Sequence, residues 1–341
     1  MARRIYLAAV SQLYSKAPRV TTGGSTPLHR VLTSYLPSFK DATRLRTALE
    51  NTCEPVDYCV DSGAHVWIAA FFKKGEKHPV AKVEKTLETF VASIKSLPRK
   101  PTFVVELDLQ RIYGLDVVEA WRRDLWAPFE QEMGIRVCYV WHEVDGLAKW
   151  SSMLNDPTVR YMGVGGDRTI PVDLRRRMTL HAYAAGKPVH GFASVDVRWM
   201  RQIPFYSVDS TSWAVGAQVF GLVPRFDAAA GKIRQGPVGN RQMRENPKIA
   251  AANLMRAKGF FPSDILEKTN GERSEKNYNR FYSAAGEVFR QLEEWHTAYW
   301  RAKGLDWDAQ LRKHGNEIPG ASGGHLKSPS QARIEPPRPR G

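Results

Sequence analysis

A repeated rhythm constrains this chain more than any other feature: short apolar runs closed by an acid, a histidine or a glycine, with helix-patterned segments between them. The clearest instance is Val56-Asp57-Tyr58-Cys59-Val60 running into Asp61-Ser62-Gly63-Ala64-His65. The run reads as a buried strand, Asp61 falls at its carboxyl end, and Ser62-Gly63 lets the backbone turn without a steric penalty. Thr102 to Asp108, Val137 to His142, Tyr161 to Gly166, Pro188 to Phe192 and Phe205 to Ser210 repeat the punctuation. Between them Val83, Leu87, Phe90, Val91, Ile94 and Leu97 share one helix face, which Pro98 stops. Val117, Val118, Trp121, Leu125, Phe129 and Met133 share the next, with Gly134 as its C-terminal cap, and Leu174 to Tyr183 is a third.

Strands alternating with helices build parallel βαβ units joined by right-handed crossovers. Roughly seven or eight such units fit between a first strand Ile5–Val10 and a last strand Ala217–Leu222, a number that suits a (β/α)8 barrel over an open sheet. In that fold Asp61, Asp108, His142, Gly165-Gly166, His190 and Asp209 converge on one mouth at the carboxyl ends of the strands. Polar residues follow strands simply because loops are polar. That plainer reading accounts for some of these positions but not for the bias to Asp, His and Gly.

The chain carries 50 Lys and Arg against 35 Asp and Glu, a net charge of +15, which points to a polyanionic partner such as nucleic acid. No window approaches the ~20 apolar residues of a membrane span. The first residues, Met1 to Tyr6, lack an apolar leader and cleavage site. Cys53, Cys59 and Cys138 make neither a disulfide framework nor a spaced metal cluster. The expectation is a cytoplasmic, reduced protein without zinc and with no cofactor.

Three regions follow: a barrel over 1–222, a basic connection and helical appendage over 223–314, and a disordered tail over 315–341. Arg225, Lys232, Arg234, Arg241 and Arg244 offer charge to a phosphate backbone. Ile249 to Lys258 reads as helical. A longer helix carries Tyr278, Phe281, Tyr282, Ala285, Phe289, Leu292, His296 and Tyr299 on one stripe, better suited to packing than to base stacking. Gly315 to Gly341 holds five prolines and five glycines, hence the disorder expected there.

Asp61-Ser62-Gly63, then Asp108, His142, Gly165-Gly166, His190-Gly191 and Val208-Asp209-Ser210, resembles the order of active-site segments in the guanine transglycosylases. Those enzymes are (β/α)8 barrels that exchange a guanine in nucleic acid for a 7-deazaguanine. Phe205 to Trp213 is most similar to phage and bacterial relatives that act on DNA, and the resemblance covers about residues 55 to 222. It implies DNA and a 7-deazaguanine base as partners.

The resemblance also implies roles. Asp209 matches the nucleophile that attacks the anomeric carbon and leaves a glycosyl-enzyme, and Asp61 matches the acid/base that handles the purine-nitrogen proton. Asp108 matches the acid that reads the guanine-type edge, His142 stands where the family has a base-reading glutamine, and Gly165-Gly166 matches a backbone segment at the base. Ser62, Gly63, His65 and His190 belong to the same binding segments. An N-glycosidic bond breaks through an oxocarbenium-like state that a carboxylate stabilises or captures, while a second acid transfers the proton.

Three departures qualify the match. The tRNA enzymes carry a Cys/His zinc site after the barrel, and no cysteine follows Cys138. Where His65 stands the family usually has an aromatic residue, so stacking falls to His65 or to Trp67. A register shifted by three residues would put Ser212 at the nucleophile, but a serine would need its own activating base. The alternatives are a tRNA-guanine transglycosylase, a sugar hydrolase, or a non-catalytic nucleic-acid-binding barrel.

Overall fold

The computed structural model describes residues 4–8, 30–35, 57–167, 169–195, 197–210, 222–227, 232–237 and 275–318. Eight parallel strands close into a barrel in chain order: β1 (Arg4–Leu7), β2 (Arg30–Ser34), β3 (Asp57–Asp61), β4 (Phe103–Val105), β5 (Arg136–Trp141), β6 (Met162–Val164), β7 (Val189–Gly191) and β8 (Ser207–Ser210). The last strand pairs with the first over four residues, from Arg4 opposite Ser207 to Leu7 opposite Ser210. The fold is a (β/α)8 barrel.

The first strand runs Arg4–Leu7, with residues 9 and 10 of the expected strand outside the described residues, and closure differs from the sequence expectation at the other end. The eighth strand is Ser207–Ser210, and Leu222 opens an antiparallel hairpin of β9 (Leu222–Asp227) and β10 (Lys232–Pro237). Residues 217–221 lie outside the described residues. The strand that makes up the count is β2, whose five residues Arg-Val-Leu-Thr-Ser hold too few apolar positions to stand out. It is nevertheless buried throughout, because its polar side chains meet partners on β3 and on a distant helix.

The helices lie where their apolar stripes require. Among them are α1 (Ala64–Lys74), α2 (Val80–Lys95), α3 (Gln110–Tyr113), α4 (Leu115–Trp121), α5 (Ala127–Met133), α6 (Gly146–Asn155), α7 (Val172–Ala184) and α8 (Val197–Gln202). On α2, Val83, Leu87, Phe90, Val91 and Ile94 are buried, each large side chain contributing about 1.5–3 kcal/mol. Between α4 and α5 the helix widens into one π turn, Arg122–Trp126. Pro128, which has no N–H to give and crowds the carbonyl four residues back, lies two residues past Trp126. The widened turn carries Arg122 into the barrel wall, where it pairs with Glu106.

Two layers fill the barrel. Midway, Tyr6, Phe103, Tyr161 and His190 make edge-on and tilted ring contacts, with Tyr6 and Phe103 centroids 5.3 Å apart and Phe103 and Tyr161 4.7 Å apart. At the amino-terminal end lies a buried charge cluster. Arg30 Nη1 is 2.5 Å and Arg4 Nη1 3.2 Å from Asp57 Oδ2, which also accepts from Tyr6, while Thr102 donates to the other oxygen. Glu293 closes the cluster from outside the barrel. It lies on α9 (Glu275–Arg301), accepts from Arg30 at 3.1 Å, and accepts from the Ile5 N–H at 2.9 Å.

The C-terminal elements are thereby bound to the barrel. Val288, Phe289, Leu292 and His296 of α9 are buried, so the described part of the aromatic stripe is a packing face. Trp307, first residue of α10 (Trp307–Lys313), donates to Pro204 O at 2.7 Å. Asn316 is buried and donates to Arg160 O and Gly186 O, both at 2.9 Å, and Ile318 is buried beyond it. Order therefore continues past 315, where disorder was expected to begin, because Asn316 satisfies two backbone carbonyls of the barrel. Residues 319–341 lie outside the described residues, as does the helix expected over Ile249 to Lys258.

Candidate active site

Each strand of the parallel barrel delivers its last residues to the same rim, and the candidate residues take their places from that fact. Asp61 ends β3 opposite Ser34, the last residue of β2, and the Ser34 hydroxyl donates to Asp61 Oδ2 at 2.9 Å. Gly63 follows with φ 78°, a left-handed backbone that a side chain would strain, and starts α1. The Ser62 hydroxyl points across to β4 and donates to Glu106 O at 2.6 Å. His65 is more than half exposed with Nδ1 3.8 Å from Asp61 Oδ2. The Asp61 carboxylate raises the pKa of His65, burial opposes the rise, and Asp108 and Asp209 add to it. One imidazole therefore feels three carboxylates, two on β3 and β8 and one in the loop after β4. Trp67, the other stacking candidate, is buried in the first turn of α1, edge-on to the ring of His78.

Asp108 and His142 form one unit with a residue the sequence did not single out. His142 Nε2 lies 2.6 Å from Asp108 Oδ2, and its Nδ1 lies 3.2 Å from Asp167 Oδ2. Arg111 from α3 completes the row, 2.5 Å from Asp167 Oδ1. Burial alone would lower the His142 pKa, but the two flanking carboxylates push it up to about 10. His142 is thus an imidazolium at neutral pH, donating from both nitrogens. In the same way Asp167 stays below the usual carboxylate range despite burial.

Gly165 and Gly166 follow β6 as expected, and Gly165 is required there. A Cβ on it would stand 2.5 Å from His142 Nδ1, so the bare backbone lies flat against the imidazole. The loop's shape is set by Arg175 of α7, a buried guanidinium that donates to Gly165 O at 3.2 Å and also to Asp167 O and Ile170 O. Only an arginine-rich helix announced this residue in the sequence.

Asp209 lies on β8, one residue from its end, opposite Tyr6. Its Oδ1 accepts from the Ala193 N–H at 2.8 Å and lies 3.3 Å from His190 Nε2. Both contacts fall on the same oxygen. Oδ2 takes no hydrogen bond among the described residues. His190 is fully buried beneath Asp209, and its other nitrogen lies 2.6 Å from Ser207 Oγ, which in turn lies 2.5 Å from Tyr161 OH. His190 therefore meets the mouth through Asp209 rather than through an exposed edge. Ser212, the alternative nucleophile, lies outside the described residues.

Glu106 shows why an acid at a strand end is not by itself a site. It is fully buried, ion-paired to Arg122, and accepts the Val140 N–H at 2.6 Å. Both of its carboxylate oxygens are bonded within the barrel wall.

Of the basic residues expected to meet phosphate, Arg225 lies on β9, with Lys232 and Arg234 on β10. Arg234 stands opposite Arg225 in the register and Lys232 opposite Asp227. Arg241 and Arg244 lie outside the described residues. Among the described residues no group of three or more His, Cys, Asp or Glu is arranged to hold a metal ion. No helix among them is long and apolar enough to cross a membrane.

Comparison of the chain with protein-family models, with curated proteins and with solved structures finds no significant match. The functional reading rests on the geometry of the mouth and on the resemblance in the order of its segments.

Proposed function

We propose that this protein is a guanine/7-deazaguanine transglycosylase acting on DNA, with Asp209 as nucleophile and Asp61 as proton carrier. The observation that carries the reading is Asp209 itself. One carboxylate oxygen is held by a backbone N–H and by a buried imidazole, while the other takes no bond at the barrel mouth. A carboxylate fixed through one oxygen presents the other in a defined direction, which a nucleophile at an anomeric carbon needs.

The chemistry is self-contained. Oδ2 forms a bond to C1′ as the C1′–N9 bond breaks, and the electron pair leaves on the guanine. Protonation of the departing base and deprotonation of the incoming one balance, so a single carrier suffices. Asp61, hydrogen-bonded by Ser34 and 3.8 Å from His65, is placed at the same rim for that task. No redox partner or cofactor enters. The Asp108–His142–Asp167 row offers carboxylate acceptors beside the Gly165-Gly166 backbone, suited to the N–H edge of a guanine-type base. The net charge of +15 suits a polyanionic substrate, and affinity for DNA is expected to fall steeply as salt rises.

The test is incorporation of labelled guanine into DNA and into tRNA, run with Asp209→Asn and Asp61→Asn. Label should enter DNA, exchange should vanish in Asp209→Asn, and turnover should fall roughly 10²–10⁴-fold in Asp61→Asn. A denaturant-resistant protein–DNA adduct should accumulate in the unsubstituted protein when no incoming base is supplied. Label entering tRNA alone would replace the substrate, and DNA retention without exchange would leave a binding barrel. An adduct that survives Asp209→Asn but not Ser212→Ala would move the nucleophile.

A further inference from the structure

We infer that Tyr161 and Ser207 are positioning residues, which set the tautomer of His190 so that its Nε2–H is given to Asp209 Oδ1. The effect at Asp209 rests on the transglycosylase reading; the tautomer itself does not.

The inference follows from counting protons in a sealed row. Tyr161 OH, Ser207 Oγ, the two nitrogens of His190 and Asp209 Oδ1 lie in sequence at 2.5, 2.6 and 3.3 Å. Tyr161, Ser207 and His190 are all buried, so no water-exposed edge can satisfy a stray donor. Tyr161 has one hydroxyl proton, and Ser207 Oγ is its one hydrogen-bond partner among the described residues. It must therefore donate to Ser207, since its proton would otherwise be buried without an acceptor. Ser207 then has its own single proton left, and His190 Nδ1 is the acceptor that remains. With Nδ1 accepting, the ring proton sits on Nε2, facing Asp209.

The opposite arrangement fails at both ends. A proton on Nδ1 would turn Ser207 toward Tyr161, orphan the tyrosine proton, and point the Nε2 lone pair at a carboxylate oxygen. The row is thus one-directional. The identity of the nitrogen that carries the proton is decided by the partner of the other nitrogen, two side chains away from the reacting atom.

For the proposed reaction this has a definite use. Oδ1 receives two donors, the Ala193 N–H and the His190 Nε2–H, and Oδ2 attacks. In the glycosyl ester Oδ1 becomes the carbonyl oxygen. The same two donors then stabilise the carboxylate as the incoming base displaces it, breaking the C1′–Oδ2 bond as its own bond to C1′ forms. Exchange requires that the ester both form and leave, and donors on Oδ1 serve the second half.

The test uses the full chain labelled with ¹⁵N-histidine, with His190 located by the signal lost in His190→Gln. The unsubstituted protein should show a protonated Nε2 and an unprotonated Nδ1 at His190, with no substrate present. Ser207→Ala should mix or invert that pattern and lower kcat for base exchange by about 10–100-fold with little change in KM, the loss expected when a group that orients a reacting residue is removed. Ser207→Thr, which keeps the hydroxyl, should restore both. If Ser207→Ala does not fold, Tyr161→Phe tests the same row while keeping the core ring. It should loosen the tautomer and lower kcat in the same sense. A proton found on Nδ1 in the unsubstituted protein overturns the inference, as does an unchanged pattern in the variants. A protein that shows the Nε2 tautomer but exchanges no base would retire the transglycosylase reading and leave the proton arrangement standing.

Discussion

The backbone N–H of Ala193 donates to Asp209 Oδ1 across 2.8 Å, and Ala193 adopts φ 50° to aim it there. It is the one described residue other than glycine with positive φ. A left-handed alanine costs about 1–2 kcal/mol, a strain retained where it holds a functional group in place.

That strain is measurable. Ala193→Gly removes the clash and keeps the N–H, at an entropic cost of about 0.4–1 kcal/mol in the unfolded chain. The variant should equal or exceed the original in stability by up to about 1.6 kcal/mol and retain base exchange. Ala193→Val should be destabilised and slower. Urea midpoints for the two variants decide it, and a stable valine variant would mean that the left-handed turn is not needed.

The imidazolium of His142 ties stability to pH. Its pKa rises from 6.5 to about 10 on folding, because two carboxylates hold the charged form against burial. The folded state binds the extra proton between those values, so stability falls with rising pH there. The contribution is whole below about 6.5 and lost as pH climbs through about 10. In His142→Gln that fall should disappear, and the stability gap between the two proteins should shrink from neutral to alkaline pH. A gap that widens would contradict the ion-paired geometry.

At the barrel floor, Glu293→Ala should be severe. It leaves Arg30 with Asp57 alone and removes the acceptor of the Ile5 N–H, at a cost of about 3–5 kcal/mol for an unbalanced buried charge. Chemical unfolding of the full chain reads the loss. Unfolding at the original midpoint would show that α9 does not close the floor.

Gly165→Ala probes the opposite end. The added Cβ would stand 2.5 Å from an imidazole pinned between Asp108 and Asp167, so either the loop or the ring must shift. A loss of about 1–3 kcal/mol is expected from such overpacking. It should be accompanied by a lowered His142 pKa, seen by NMR titration, as the carboxylates lose their grip. An unmoved titration would mean that the ring and loop have more room than this packing allows.

Much of the candidate site's placement at the barrel rim was legible in the sequence. Asp61, Asp108, His142, Gly165 and Asp209 stand at or near the ends of β3, β4, β5, β6 and β8, and a closed parallel barrel brings its strand ends to one rim. The partners were not legible. Asp167 sits right after the two glycines, an acid at a strand end like those that mark the other segments. Arg111, Ala193, Tyr161 and Arg175 carried no local pattern that sets them apart.

The sequence by itself determined what depends on near neighbours: the helix faces, the strands rich in apolar residues, and the alternation of strand and helix. Those follow from periodicity within a few residues, where the amphipathic period is written directly. Only the tertiary structure decided which acids are committed to the wall and which face the mouth. Glu106 and Asp108 are two residues apart, yet one is locked to Arg122 and the other reaches His142. It also decided that a polar strand, Arg30–Ser34, belongs in the barrel, because its neighbours include Asp61 and Glu293. The reason is physical: a buried polar group is tolerated only with its partner. Here Arg30 and Glu293 stand 263 residues apart, a pairing that no local pattern encodes.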